Sequence, residues 1–420
     1  MTSKGDYKEA YVWIWLPSET EPVVAGKLEQ DGENLIFAYG KSYLDRNEAI
    51  PIYDPELPLQ PGTLPLLNGL SAPSCIRDSA PDAWGQRVII NRMMGSKEEA
   101  ANDSELGLLT YLMKSGSDRI GALDFQASPT EYVPRQSKAA PLEELMNSAE
   151  RVEKGVPLSQ ELDQALFHGS SIGGARPKAL IQDGDIKYIA KFSASNDSYS
   201  VVKAEYIAMR LAHLAGLNVA PVKMVEAAHK DVLLIKRFDR TPAKVSWHRK
   251  AIVSALTILE LDEMMAKYAS YEKLAEIIRI RFTAPKDTLK ELYGRMVFNI
   301  LCGNTDDHAR NHAAFWDGKA LTLTPAYDIC PQGRTGGEAT QAMILVGNNR
   351  FSQLSVCIEA ARHFKLYEDE ARAIITHQKS IIVDNWDAVC DEAKLSEVDR
   401  KLFWQRQFLN PYAFQGLEGL

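Results

Sequence analysis

The sequence predicts an α+β chain in three parts: a small N-terminal α/β subdomain over residues 1–126, a small antiparallel-sheet lobe over 142–240, and a mostly helical C-terminal lobe over 241–420. Three observations predict it. Short apolar runs broken by Pro, Gly, Asp and Asn open the chain, as the strands of a meander require. A Pro/Ser/Thr/Lys-rich stretch without periodicity, residues 127–141, reads as a boundary. Beyond Asp239 the apolar residues take almost wholly helical spacing.

Composition narrows the class. At 420 residues the chain calls for two or three packed units of roughly 100–200 residues each. The hydrophobic fraction of 45% and the charged fraction of 25% are those of an ordinary globular protein, which excludes collagen-like and low-complexity readings. The longest apolar runs, near residues 11–16 and 232–235, are far shorter than the roughly 20 residues that span a bilayer. Asp6 and Glu9 precede an apolar run that ends at Pro17, so no secretory leader is expected and a cytoplasmic location is. Net charge is −8, which argues against a chain that coats nucleic acid by itself. The five cysteines form no CxxC pair and are odd in number, as expected of reduced thiols rather than a disulfide framework.

In chain order, residues 11–16, 23–28 and 35–38 read as strands, 82–94 and 105–114 as helices (the second with Ser104 as N-cap), and 119–125 as another strand. Trp13 and Trp15 alternate with apolar neighbours as a half-buried strand does, and are assigned to the core. Helical patterns fill 142–166, followed by a Gly-rich segment at 168–178. Strands at 179–182 and 186–192 flank Asp183-Gly184, a hairpin signal. A helix at 199–214 ends before Gly216, and strands at 222–227 and 232–238 complete a small sheet. Leu289, Leu292, Tyr293, Met296, Val297, Ile300 and Leu301 hold one face of a helix over 287–301. A loop at 302–311, a hairpin around Asp317-Gly318 and a helical stretch at 354–364 follow, without internal repeat.

The segment 303–311, GNTDDHARN, is the densest polar cluster in the chain. Asp306 and Asn311 stand five apart, the D-x-x-x-x-N spacing of a kinase catalytic loop, and Asp328 follows past the hairpin. Phosphoryl transfer needs an aligned hydroxyl and neutralised phosphates more than covalent chemistry. One carboxylate accepts the hydroxyl hydrogen, hence Asp306; an amide oxygen and a second carboxylate hold Mg²⁺, hence Asn311 and Asp328. Upstream, Gly173 and Gly174 let backbone N–H groups approach phosphates closely. Lys191 is placed to reach phosphate oxygens, Glu205 to orient its ammonium, and strand 232–238 occupies the hinge position. Together these features predict a two-lobed protein-kinase-like fold.

At these residues the chain resembles the HipA family of serine/threonine protein kinases, the toxin halves of bacterial toxin–antitoxin modules. Ser171, Gly173, Gly174, Ala175, Arg176, Pro177 and Lys178 match the family's phosphate loop, residues 236–240 its hinge, and Gly303–Asn311 with Tyr327-Asp328 its catalytic and metal segments. Arg176-Pro177 stands where the best-known members have Gln-Glu, and Asp328 is followed by Ile329 and Cys330 rather than Phe-Gly. The resemblance implies ATP and Mg²⁺ as cofactors and Asp306 as catalytic base, with Asn311 and Asp328 on the metal. It further implies Lys191 with Glu205 and the loop at the phosphates, Lys236, Arg237 and Phe238 at the adenine, His308 and Tyr327 lining the same site, and Ser171 as an autophosphorylation site. It implies a protein substrate such as glutamyl-tRNA synthetase. The implied partner is a small HipB-like helix-turn-helix antitoxin, through which DNA is contacted indirectly; no membrane is involved.

Three rivals remain at this stage. A small-molecule phosphotransferase shares the Asp…Asn…Asp order. A zinc hydrolase could use His308 and His312, although the spacer lacks the Glu of H-E-x-x-H. A non-catalytic co-repressor acting with the antitoxin would have lost catalytic residues, and none is lost. Cys302 and Cys330 are expected to be buried fillers.

Overall fold

In the computed structural model the described residues are 7–67, 69–95, 106–135, 140–156, 176–194, 197–334 and 337–417. They form two compact units. The first comprises the chain up to residue 196 with 226–253 and 315–319, the second residues 197–225, 254–314 and 320–420.

Two antiparallel sheets are built largely from residues of the first unit. Strands β1 (Glu9–Ile14), β2 (Val23–Asp31), β3 (Asn34–Tyr39), β4 (Thr63–Leu64) and β5 (Leu123–Gln126) lie in the order β4-β3-β2-β1-β5. Ala10, Val12, Leu28, Phe37 and Phe125 are fully buried between them and the covering helices. Gly26 faces Tyr39 across β2 and β3; a Cβ there would sit 2.2 Å from the Ala38 carbonyl oxygen, so only glycine permits the close approach. Trp13 and Trp15 are core residues, as expected, with the Arg249 guanidinium 3.4 Å from the centre of the Trp15 ring. The second sheet is built from β6 (Lys178–Asp183), β7 (Ile186–Phe192), β8 (Val222–Ala227) and β9 (Lys230–Lys236), in the order β6-β7-β9-β8. Asp183 pairs with Ile186, which makes the β6–β7 connection the two-residue hairpin that the sequence signals.

Several elements differ from the sequence expectation. The helix expected over 105–114 runs Leu108–Lys114 with Gly107 at its N-cap; Ser104 lies outside the described residues. Of the strand expected at 119–125, only the end joins the sheet, because Gly121 at φ +80° takes the backbone out of the extended region just before it. Of the helical stretch at 142–166, Leu142–Glu153 is described and residues from 157 on are not. Just past Asp239 the chain is not helical. Arg240–Pro242 pairs with Trp247–Arg249, and Ala251–Ser254 is a further strand. Pro242 bars a helix there, and Thr241, Trp247, Ile252 and Val253 are residues that favour a pleated surface.

A network of buried ions ties the start of the first unit to the end of β9. Arg237 donates to Asp239 at 2.9 and 2.8 Å, to Asp118 at 3.1 Å and to the Arg119 carbonyl at 3.0 Å. Arg240 donates to Asp239 at 2.8 Å and to the Gly121 carbonyl at 2.9 Å, while the Gly121 N–H donates to Asp239 at 2.9 Å. Arg119 and Arg135 share Asp124, and Lys187 pairs with Asp118.

The second unit is mainly helical. Helix Val201–Leu214 packs along Glu368–Glu392, where Glu392 accepts from Tyr206 at 3.1 Å and from Arg210 at 3.0 Å. Helix Pro285–Leu301 is buried along nearly its whole length and carries the apolar face read from the sequence. Its Pro285 occupies a first-turn position, where a missing N–H costs nothing. Strands Ala313–Trp316 and Leu321–Leu323 are the expected ones, and Leu354–Ala360 continues into a short helical turn at Ala361–Phe364. All five cysteines are free and buried; burial pushes the Cys302 thiol up to about 12. Among the described residues no helix is long and apolar enough to cross a membrane.

Candidate active site

The polar loop begins where helix Pro285–Leu301 ends. Gly303 adopts φ +73°, and a Cβ on it would lie 2.5 Å from the Gln407 carbonyl oxygen, so the chain can turn out of the helix there only with glycine. Asn304 then folds back on the helix, its N–H reaching the Asn299 carbonyl at 2.8 Å and its Nδ2 the Asn299 Oδ1 at 3.0 Å. The Gln341 amide donates to the Asn304 carbonyl at 3.0 Å, and the Ala342 N–H to the Thr305 carbonyl at 3.1 Å. These bonds tether the loop before it reaches Asp306.

Asp306, Asn311 and Asp328 come together in this unit. The Asp306 carbonyl accepts from the His308 N–H at 2.9 Å and from Asn311 Nδ2 at 3.2 Å. With its amide nitrogen so engaged, buried Asn311 presents its amide oxygen as an acceptor. Asp306 reaches solvent, yet the protein around it strips part of its hydration and lifts its carboxyl above the ordinary value. His308 pulls it down, and the like charges of Asp328 and Asp307 push it up. Asp328 stands in the left-handed region at φ +58°, which a short polar side chain tolerates better than most. The preceding segment is fixed by Ala326, which donates to the Asn218 carbonyl at 2.7 Å and accepts from the Ala220 N–H at 2.9 Å. The Tyr327 hydroxyl donates to the Arg310 carbonyl at 2.7 Å, closing the loop from the other side.

Behind the exposed carboxylate lies a buried polar set that sequence reasoning missed. Asp307 accepts from the Tyr271 hydroxyl on one oxygen and lies 2.8 Å from His312 Nε2 on the other. Since a carboxylate only accepts, Nε2 carries the hydrogen. Burial, then the Asp307 charge, raise the Tyr271 hydroxyl well above its usual value, so it remains a donor. A cavity of about 10 Å³, room for about one water, is lined here by residues including Arg295, Asn304, Asp307, Asn311 and His312. The signal was present in the sequence: Asp307 and His312 directly follow Asp306 and Asn311 and repeat their spacing.

The remaining expected residues lie as follows. Ser171, Gly173, Gly174 and Ala175 fall outside the described residues. Arg176 and Pro177 lead into β6, where Lys178 faces Lys191 of β7; both lysines are buried. Glu205 is buried on helix Val201–Leu214 of the second unit. Lys236 is exposed at the end of β9, and the Phe238 ring packs edge-on to Phe315. Arg237 is the surprise. Its side chain is wholly consumed by Asp118, Asp239 and the Arg119 carbonyl, and its N–H donates to the Lys187 carbonyl at 2.9 Å.

The donor set fits a hard divalent cation. Mg²⁺ is held by one or two carboxylates and keeps several waters, so one carboxylate and one amide oxygen suffice. Among the described residues no group of three or more His, Cys, Asp or Glu side chains is arranged to hold a metal, and His312 is engaged with Asp307.

Known families match most of the chain. The profile of the HipA-like C-terminal domain matches residues 170–386, and that of the HipA N-terminal domain matches residues 18–126. The chain belongs to the HipA family. A putative kinase of Sinorhizobium fredii, Y4mE, is 25% identical over 347 residues, covering 73% of this chain and 74% of that protein. The serine/threonine-protein kinase toxin HipA of Shewanella oneidensis is 26% identical over 185 residues, 38% of this chain and 42% of that one. Among solved structures, the complex of Shewanella oneidensis HipA with HipB and operator DNA matches with a TM-score of 0.69 at 19% identity, over 96% of this chain and 99% of that chain. The fold of this HipA-family chain is accordingly α+β and kinase-like, as the sequence predicts.

Proposed function

We propose that this HipA-family chain is an ATP- and Mg²⁺-dependent serine/threonine protein kinase that acts as the toxin of a toxin–antitoxin pair. The observation that carries the reading is the meeting of Asp306, Asn311 and Asp328, with the Asp306 carboxyl raised beside a second carboxylate. In this reading Asp306 accepts the hydrogen of the attacking hydroxyl and aligns its oxygen. Its raised affinity for a proton suits that task. Asn311 and Asp328 hold Mg²⁺, which supplies neutralisation of the phosphate charge. Lys191, with the loop from Gly173 to Lys178, binds the phosphates, and Glu205 orients the lysine. Lys236, Arg237 and Phe238 serve the adenine through the backbone of their segment, while the Arg237 side chain, engaged with Asp118 and Asp239, holds that segment in place.

The relatives named as kinases and as a HipA toxin support the activity and the toxin role. The matching structure that includes HipB and operator DNA supports a HipB-like helix-turn-helix partner, with DNA contacted through it; the net charge of −8 agrees with that division of labour. Glutamyl-tRNA synthetase is the target class the resemblance suggests, Ser171 the self-modification site, and the cytoplasm the place of action.

The test is incubation of the purified chain with γ-labelled ATP and Mg²⁺, followed by mapping of the label. Label on Ser171, and on added glutamyl-tRNA synthetase, is expected. Transfer only to small alcohols favours the small-molecule phosphotransferase, and no transfer to any acceptor favours a co-repressor without catalysis.

A further inference from the structure

We propose that Tyr271, Asp307 and His312 form a clamp that sets the separation of Asp306 from Asn311, making them positioning residues for phosphoryl transfer; the inference rests on the kinase reading above. The two pairs interleave. Asp306 is exposed and Asn311 is held against the Asp306 carbonyl through its amide nitrogen, while their immediate successors Asp307 and His312 join each other through a 2.8 Å hydrogen bond. That bond closes residues 307–312 into a ring whose two ends are the neighbours of the two functional side chains.

The ring is anchored from outside the loop. The Tyr271 hydroxyl donates to the second Asp307 oxygen, lies 3.1 Å from His312 Nε2, and the Tyr271 ring meets the imidazole edge-on at 5.4 Å between centroids. Tyr271 opens helix Tyr271–Arg281, and its own N–H is held by the Ile344 carbonyl at 2.9 Å. The far side of the ring is fixed by the Ala255 N–H, which donates to the His312 carbonyl at 2.7 Å. Exposures of 0%, 1% and 3% for Tyr271, Asp307 and His312 leave none of the three able to touch a substrate. What they can do is hold the backbone on which Asp306 and Asn311 are mounted. A catalytic constellation tolerates displacements of only about 0.5 Å, so a loop held by main-chain bonds alone would be too loose.

Two substitutions separate positioning from plain stability. His312→Leu keeps the bulk and removes the donor, while His312→Gln returns a donor near the place of Nε2. Three quantities are read on the full chain: initial rates of phosphoryl transfer against ATP, binding of Mn²⁺ by electron paramagnetic resonance with a non-hydrolysable ATP analogue, and the melting temperature. The clamp predicts that His312→Leu lowers kcat and weakens Mn²⁺ binding by about 10- to 100-fold each, the usual effect of removing a group that orients a ligand. KM for metal–ATP should rise in step with the loss of Mn²⁺ affinity, and His312→Gln should recover most of these losses. Wild-type kcat and Mn²⁺ affinity in His312→Leu with only a lower melting temperature overturns the clamp, as does a His312→Gln no better than the leucine variant. Should the leucine variant fail to fold, Tyr271→Phe decides, because it removes one oxygen from a retained ring: a fall in kcat of about threefold or more supports the clamp, and an unchanged kcat and Mn²⁺ affinity overturns it. A wild-type chain that transfers no phosphoryl group and binds no Mn²⁺–nucleotide removes the kinase reading and the clamp with it, whereas an active wild type with an unaffected leucine variant removes the clamp alone.

Discussion

Two groups of aspartates in this protein live under opposite electrostatics. In the first unit Asp118, Asp124 and Asp239 are surrounded by arginine and lysine, and despite burial their carboxyls are held below the ordinary value, Asp239 at about 2. In the second unit partial burial, then the like charges of Asp328 and Asp307 against the pull of His308, raise the Asp306 carboxyl. Carboxylates satisfied by the chain's own cations are structural; carboxylates gathered against each other store repulsion that a bound cation relieves. The contrast separates a scaffold from a site without reference to any relative.

The sharpest way to break the comparison is to remove a carboxylate from each group. Asp306→Asn should lower phosphoryl transfer by about 10²–10⁴-fold, the usual worth of a positioned acid–base group. Its melting temperature without ligands should stay level or rise by about 1–3 °C, because a like-charge contact at a solvent-accessible position is relieved. Asp239→Asn should do the reverse to stability, leaving Arg237 and Arg240 without their shared partner. Equal losses of stability in the two variants would show the two groups to be alike.

Arg237→Ala tests the scaffold from the cationic side. It leaves Asp239 and Asp118 with only Arg240 and Lys187 to balance them and should cost up to about 3 kcal/mol in urea unfolding, with Arg237→Lys a poor rescue because lysine lacks the fork that serves two carboxylates. The pH dependence follows from the sign of the shift. A carboxyl held at about 2 in the folded chain, against 3.8 in the free residue, stabilises the fold fully above about pH 5 and loses that contribution as the pH falls through 4 towards 2. For Asp239 this amounts to on the order of 2 kcal/mol, and Asp239→Asn should flatten that part of the acid unfolding curve. Gly303→Ala should have a smaller effect, about 1–3 kcal/mol, through a left-handed backbone and the contact with the Gln407 carbonyl. Its activity should fall further than its stability, since the turn leads directly into Asp306.

The comparison also shows which parts of the molecule the sequence made legible. Helix Pro285–Leu301, the β6–β7 hairpin and the loop with D-x-x-x-x-N were readable because they depend on local periodicity, turn chemistry and a fixed spacing. The sequence places Arg237 at the adenine by its position in the hinge segment but does not show where its side chain goes. Its pairing with Asp118 joins residues 119 positions apart, and nothing local in the sequence announces it. The strands past Asp239 were hidden because they are only three or four residues long, too short to show a period of two. Tyr271 entered the site from another helix for the same reason that Asp118 entered the network: tertiary packing brings together groups that spacing cannot connect.

If Asp328 and Asn311 hold a divalent cation against a nucleotide, calorimetric titration with a non-hydrolysable ATP analogue reads that bond. Tight binding with Mg²⁺ is expected, with a large loss when EDTA replaces it and no Mg²⁺ dependence in an Asp328→Asn, Asn311→Ala double variant of unchanged melting temperature. Nucleotide affinity that is the same with and without Mg²⁺ in the wild-type chain, or untouched by the double substitution, would contradict it.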